Sequence, residues 1–385
     1  MRQIPAHPNI PWFRAVGTMV GSVIGVGVFG IPYAFARSGY LLGLLELLVV
    51  GGLLLALQLM YAEVAVQTPG RYRIAGYVKH YLGSPWGGIA TVLFMAYTWG
   101  AMVAYVILGG EFLFTLLGPV LGGSVVWYHL GLVVLVGLLT FRGNSQLSKA
   151  ETPIVAVLLF LFAFMSLAAL PYVDLGNLAR VSTPHWFVPY GVIVFALSGL
   201  GVVPEMKDIL GKQASRLPHA LVVGQAIIIF LYATFAFAVV GATGIFTTEK
   251  AFDGLVPLLG RTFAIAGAVL GSLTVASIFS QLTIQLQSTF RFDYGIGLRK
   301  AWLLTLAVPT AAFLLGAREF IHLIGFLGAV LGGCVGILLI LTYERLQRSP
   351  VCRTRTCLDV PNVVSWGLVA VFLGGMVYAL FDLFS

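Results

Sequence analysis

The sequence predicts an all-α integral membrane protein of about eleven transmembrane helices, at roughly 35 residues per helix and connection. Three observations carry that expectation. Of the 385 residues, 59% are hydrophobic and only 9% charged, against roughly a quarter charged in a soluble domain. Long apolar runs recur along the whole chain and are apolar on both parities, as LLGLLELLVVGGLLLALQLM (41–60) is, whereas barrel strands would alternate. The basic residues lie between these runs, and a cytoplasmic N-terminus places 17 of the 22 Lys and Arg in cytoplasmic segments, which obeys the positive-inside rule.

Pro, Gly and charge clusters bound each span in turn. Span 1 is expected at 13–36; the preceding MRQIPAHPNIPW lacks an apolar core with a cleavage site, so no removable signal peptide is expected. Span 2 (40–66) opens after Gly39 and closes before Pro69-Gly70. The stretch RYRIAGYVKHYLG (71–83) interleaves basic and aromatic residues at helical spacing and predicts an amphipathic helix on the cytoplasmic surface. Spans 3 (87–117), 4 (125–141) and 5 (148–170) are divided by Pro119 and by Arg142 with Lys149. Spans 6 (188–206), 7 (218–243) and 8 (262–288) follow, with Lys207, Lys212 and Arg216 between the first two. Span 9 (301–317) starts after Arg299 and Lys300, and span 10 (320–343) ends at Arg345. Span 11 (362–383) follows Pro361 and leaves the C-terminus extracytoplasmic. Arg353 and Arg355 lie before it beside Cys352 and Cys357, which are expected as unlinked thiols. The chain is a single membrane domain, 1–385.

The formal net charge of +8 requires a basic face on a soluble domain before it points to nucleic acid. Here it reports topology and attraction to lipid headgroups, and no nucleic-acid partner is expected.

Two spans are poor continuous helices. Span 1 carries Gly17, Gly21, Gly25, Gly27, Gly30 and Pro32; span 6 carries Ser198, Gly199, Gly201 and Pro204. Glycine costs about 1 kcal/mol against alanine in a helix interior, and proline removes a backbone bond. Each interruption falls in the first helix of a five-span block, 13–171 and 188–345, and an odd number of spans inverts the second block relative to the first. Span 11 stands outside the repeat. Unwound backbone at mid-depth is tolerated only where it lines a cavity or is buried in protein. Freed N–H groups favour a carboxylate and freed C=O groups an ammonium, so a zwitterion suits both. Close packing through small residues explains one Gly-rich span, but two matched interruptions favour a site.

At GVGVFGIPYAFARSG (25–39), PYGVIVFALSGLGVVPEM (189–206) and more weakly STFRFDYG (288–295), the sequence resembles the amino acid/auxin permease branch of the amino acid, polyamine and organocation transporters, including the bacterial hydroxy and aromatic amino acid permeases. By span count the likeness covers most of the chain. The resemblance implies a LeuT-like fold of five plus five helices and ion-coupled amino acid uptake. It assigns Val23, Ile24, Gly25, Val26 and Gly27 to the substrate carboxylate, and Ala196, Leu197, Ser198, Gly199 and Leu200 to the neighbourhood of the amino group. Phe195 resembles the aromatic lid of such sites, and Tyr97 the span 3 aromatic that orients the carboxylate. Some relatives carry a lysine in mid span 5; here Lys149 lies at its mouth. Sodium-coupled relatives use span 8 hydroxyls, for which Ser277 and Ser280, at i and i+3, are the candidates. Ser272, Thr274 and Thr283 are equally available.

Ionisable groups in hydrocarbon are site candidates by cost, roughly 2.5 to 3.5 kcal/mol on insertion scales. Glu46 in span 2 is a candidate proton carrier or a partner for Arg37. Glu63 and Glu205 suit a cytoplasmic gate or static ion pairs with Lys or Arg, and Glu111 ends span 3 as a solvated carboxylate. Tyr105 presents a second span 3 hydroxyl. Gln281 and Gln285 share a face that can line an inner vestibule. His129 and His322 lack ligand-spaced partners, so no metal is expected; beyond a coupling Na+ or H+ no cofactor is implied. No phosphate loop, HExxH or nucleophile elbow is present, so the chain is not read as an enzyme. The expected partners are a small amino acid and lipid, and a monomer suffices. The leading function is secondary transport of a neutral, aromatic or hydroxy, amino acid across the cytoplasmic membrane by alternating access. The alternatives are an uncoupled exchanger or facilitator, and an amino acid receptor with little flux.

Overall fold

The computed structural model describes residues 10–141, 147–292, 294–354 and 357–384, and helices account for almost all of them. Residues 1–9, Arg142 and the side chains of Lys149, Arg353 and Arg355 lie outside that description. Span 1 is two half-helices, 1a (Ile10–Val23) and 1b (Gly27–Ser38), bent by 60°. Spans 2 to 5 are Tyr40–Gln67, Ser84–Leu121, Val125–Thr140 and Leu147–Ala169. Span 6 is 6a (Val188–Ala196) and 6b (Val203–Leu210), and span 7 is Leu217–Thr243. Span 8 (Val256–Phe292) is kinked at Gly260, where φ is 79°, so its straight part begins where the sequence places it. Span 9 is Leu298–Leu314, and span 10 runs from Phe320 to Gln347. Span 11 is Asn362–Phe384.

The helices form because their apolar residues point both inward and to lipid. In span 2, Leu47, Leu54 and Leu57 are buried while Leu41, Leu45 and Leu48 are exposed, the pattern of a helix apolar all round in a membrane bundle. Spans 1, 2, 6 and 7 pack on one another, and spans 3, 4, 8 and 9 form a second group. One irregularity has no sequence forewarning: span 10 is π-helical over Leu327–Gly332, where it lies against 6a.

The amphipathic segment folds as a helix over Ile74–Leu82. Ile74, Tyr77 and Val78 are buried, because its apolar face is covered by spans 3 and 10.

Two expectations are corrected. Cys352 and Cys357 form a disulfide, with Cα atoms 5.4 Å apart. The connection folds back on span 10, where Tyr343 Oη donates to Leu358 O at 2.6 Å and accepts from the Val360 N–H at 3.0 Å. That turn brings the thiols within bonding reach, which a reading of cysteine usage alone misses. Glu111 is paired rather than merely solvated: its carboxylate meets Lys250 Nζ at 2.9 Å, and Lys250 also reaches Asp253 at 3.1 Å.

Candidate functional site

Span 1 loses its helix at Ile24–Val26. The Gly25 N–H turns back on Val23 O at 2.8 Å, and the chain resumes with Val28 N–H to Gly25 O at 3.3 Å and Phe29 N–H to Val26 O at 3.1 Å. Span 6 breaks at Leu197–Gly199, with Ser198 N–H on Phe195 O at 3.2 Å and Gly199 N–H on Leu197 O at 2.8 Å. A 3-10 turn over Leu200–Val202 leads into 6b. Pro204 sits in the first turn of 6b, where its missing N–H has no helical partner to lose.

The two breaks touch. A Cβ on Gly27 would lie 2.7 Å from Ala196 Cα, and one on Gly25 would run into Tyr105 Oη, so both positions require glycine for close approach. The freed groups are partly claimed by the protein itself. Tyr232 Oη on span 7 lies 3.2 Å from Val23 O and 3.1 Å from Ala196 O. Gln58 Nε2 on span 2 donates to Leu197 O and to Gln225 Oε1, each at 3.4 Å. Gln225 Nε2 in turn donates to Gly51 O at 3.4 Å. On the other side of the break, the Tyr105 hydroxyl stands against the backbone at Gly25, and Tyr97 lies with Ser198 on the cavity wall.

Beside the breaks lies a cavity of about 770 Å³, within the roughly 300–1,000 Å³ of small-molecule sites. It divides the residues singled out in the sequence. Val23, Tyr97, Ser198, Gly199 and Leu200 line it. Ile24, Gly25, Val26, Gly27, Phe195, Ala196 and Leu197 are buried behind that wall, and Phe195 packs on Tyr97 with ring centroids 6.0 Å apart. Gln281 and Gln285 of span 8 face the cavity as their shared helix face predicts. The first N–H groups of the Leu200–Val202 turn have no acceptor within their own turn, so this wall offers donors and hydroxyls to an anionic group.

Arg73, Glu205, Asp208 and Thr289 also line the cavity, which opens toward the end of the bundle where 1a begins. The opposite end is closed by phenylalanines. Phe29 of 1b lies 5.1 Å from Phe112 and 5.2 Å from Phe252, and Phe162 lies 5.2 Å from Phe235.

The remaining candidates fall as follows. Ser277 and Ser280 are buried on span 8 away from the cavity lining, and Ser280 Oγ donates to Ala276 O at 2.6 Å. Thr274 and Thr283 likewise bond their own helix, at 2.9 and 2.7 Å. One Glu46 carboxylate oxygen is buried with no hydrogen-bond partner, and Arg37 lies instead over the Tyr33 ring. Glu63 accepts from Gln67 Nε2 at 2.8 Å; among the described residues neither Glu63 nor Glu205 forms an ion pair with Lys or Arg. That junction is made instead by Lys207 and by Asp208 with Arg71. Lys207 Nζ donates to the carbonyls of Ala65, Thr68 (3.2 Å) and Gly70 (3.4 Å) at the end of span 2, and Asp208 meets Arg71 at 3.6 Å. Gln58, Gln225 and Tyr232 were passed over, although an amide or hydroxyl amid an apolar span is a readable signal. Among the described residues no cluster of three His, Cys, Asp or Glu could hold a metal.

Comparison with known proteins agrees with this geometry. The model of the tryptophan/tyrosine permease family matches residues 12–351. The tyrosine-specific transport system 1 of Haemophilus influenzae is 26% identical over 73% of this chain and 70% of its own length. Amino acid transporter AVT3B of Arabidopsis thaliana is 22% identical over 81% of this chain and 80% of its own. Among solved structures, MhsT in complex with L-phenylalanine superposes with a TM-score of 0.71 at 14% identity, covering 95% of this chain and 96% of that one. Mhp1, a nucleobase-cation-symport-1 family transporter in a closed conformation with bromovinylhydantoin bound, gives 0.68 at 14% identity, covering 96% and 90%. At that identity the structures establish the LeuT-like fold alone.

Proposed function

The protein belongs to the tryptophan/tyrosine permease family, and on that premise we propose that this secondary amino acid transporter carries an aromatic amino acid, with L-tyrosine as the leading candidate, into the cell. The single observation that carries the reading is the pair of interrupted helices meeting beside one cavity. The donors of the Leu200–Val202 turn suit the carboxylate. That puts it on span 6 and not at Val23–Gly27 of span 1 as the resemblance implies, because of that span 1 stretch only Val23 reaches the cavity wall. Phe94, Tyr97 and Ile278 on the same wall suit an aromatic ring. Phe195 is assigned to the outer lid, and Glu205 and Glu63 to the inner mouth with Lys207.

The positive-inside bias supports a cytoplasmic N-terminus and an extracytoplasmic C-terminus in the cytoplasmic membrane. With that orientation the cavity faces the cytoplasm and the phenylalanine cluster closes the outside. The coupling ion is assigned as the proton, carried by Glu46, whose buried oxygen lacks a partner. The span 8 hydroxyls give sodium less support, since Ser280 is engaged by its own helix.

Proteoliposomes loaded at pH 7.5 and diluted to pH 6 test this directly. Labelled tyrosine should accumulate above equilibrium, and Glu46→Gln should remove the accumulation while tyrosine binding persists. Absence of accumulation over the full amino acid panel, with either a proton or a sodium gradient, contradicts the reading. The engagement of Thr274, Ser280 and Thr283 by their own helix also favours a second reading, uncoupled exchange, which predicts counterflow that survives collapse of both gradients.

A further inference from the structure

Tyr232 sits within the apolar run of span 7 and is fully buried. Its hydroxyl lies 3.2 Å from Val23 O and 3.1 Å from Ala196 O. Val23 is the last residue of 1a and Ala196 the last of 6a, so both carbonyls are among those left without a helical donor by the breaks. A phenol has one proton to give, and here it serves one carbonyl from each interruption. Ala196 is also the residue whose Cα stands against Gly27, so the hydroxyl sits where the broken segments converge.

We propose that Tyr232 is a positioning residue that ties the two interruptions together and so sets the affinity of the site between them. The inference rests on the transporter reading. Gln58 holds the span 6 break alone, through Leu197 O; Tyr232 is shared by both. Without its hydroxyl, Val23 O and Ala196 O lose their common donor, and the two walls of the site are free to shift relative to each other before substrate arrives. Binding then has to supply that ordering.

A neighbouring bond provides the control. Tyr40 Oη donates to Ala233 O at 3.3 Å, the residue after Tyr232, but touches neither break. Tyr232→Phe and Tyr40→Phe each delete one hydroxyl bonded to backbone and keep the ring. Tyrosine affinity and ligand-free melting temperature are measured for both and for the unaltered protein. The expected result is a similar small drop in melting temperature for the two variants, with Kd raised about tenfold in Tyr232→Phe and unchanged in Tyr40→Phe. Equal affinities in the two variants overturn the proposal. If Tyr232→Phe does not fold, para-aminophenylalanine at position 232 keeps a weaker donor: raised Kd at unchanged melting temperature supports the tie, and unaltered Kd overturns it. If the unaltered protein binds no amino acid in a full panel, the transporter reading itself fails, independently of Tyr232.

Discussion

At the residue scale, Gly27 is where the backbones of the two breaks meet. Adding one methyl there drives a carbon to 2.7 Å from Ala196 Cα, and backbone cannot swing aside as a side chain tip can. Gly27→Ala should therefore cost about 1–3 kcal/mol by overpacking and reduce uptake more than tenfold. Gly17 has nothing within 4 Å of a built Cβ, so Gly17→Ala should stabilise by roughly 0.5–1 kcal/mol and leave uptake unchanged. Melting curves and proteoliposome flux on the two variants check both outcomes. The glycines were legible in the sequence as interruptions, but what each one meets was not. Composition marks where a helix is weak; only packing brings Tyr105 to Gly25 and Ala196 to Gly27. For the same reason hydropathy favours neither Tyr97 nor Tyr105, although Tyr105 stands against Gly25 of the span 1 break and Tyr97 lines the cavity beside Ser198 of the span 6 break.

Among elements, the spans themselves were read closely because hydrocarbon thickness and the cost of unpaired backbone leave little freedom. Connections were read poorly, since their contacts are with distant elements. The disulfide, the Lys207 junction and the segment between spans 7 and 8 all belong to that class. Lys207 donates to three carbonyls at the end of span 2, closing a helix terminus that lacks its own donors. Lys207→Met should lower stability by about 1–2 kcal/mol, read as a lower unfolding midpoint in denaturant.

The segment between spans 7 and 8 holds Phe252 against Phe29 at 5.2 Å and Lys250 against Glu111 at 2.9 Å. Its Glu249 carboxyl is pushed above the ordinary range by burial and by the Glu111 charge, against the opposing pull of His322 and Arg37 and with Glu319 adding to the rise. A raised carboxyl stabilises the closed segment when protonated. That contribution is full below the ordinary carboxyl pKa and is lost as pH rises through the raised value. Protection factors of the amides over 244–255, with the intrinsic pH dependence of exchange divided out, should therefore be higher in mildly acidic buffer than at neutral pH, and Glu249→Gln should flatten the difference.

For the whole molecule, one physical requirement joins sequence, fold and transport. A membrane chain that abandons helical bonding twice must satisfy the freed groups internally, and here spans 2 and 7 do so through Gln58 and Tyr232. What remains unclaimed faces a cavity open at one end and closed at the other by aromatic packing. The two interrupted spans were visible from their Gly and Pro clusters, whereas the division of the site into wall and backing was not, because helix rotation is set by neighbours and not by hydropathy. The most direct measurement is a density map of the protein with L-tyrosine at side-chain resolution. The account predicts the ligand's carboxylate at the Leu200–Val202 turn, with residues 24–26 and 197–199 non-helical. Continuous helices through both segments, or tyrosine seated elsewhere with that space filled by protein, would contradict it.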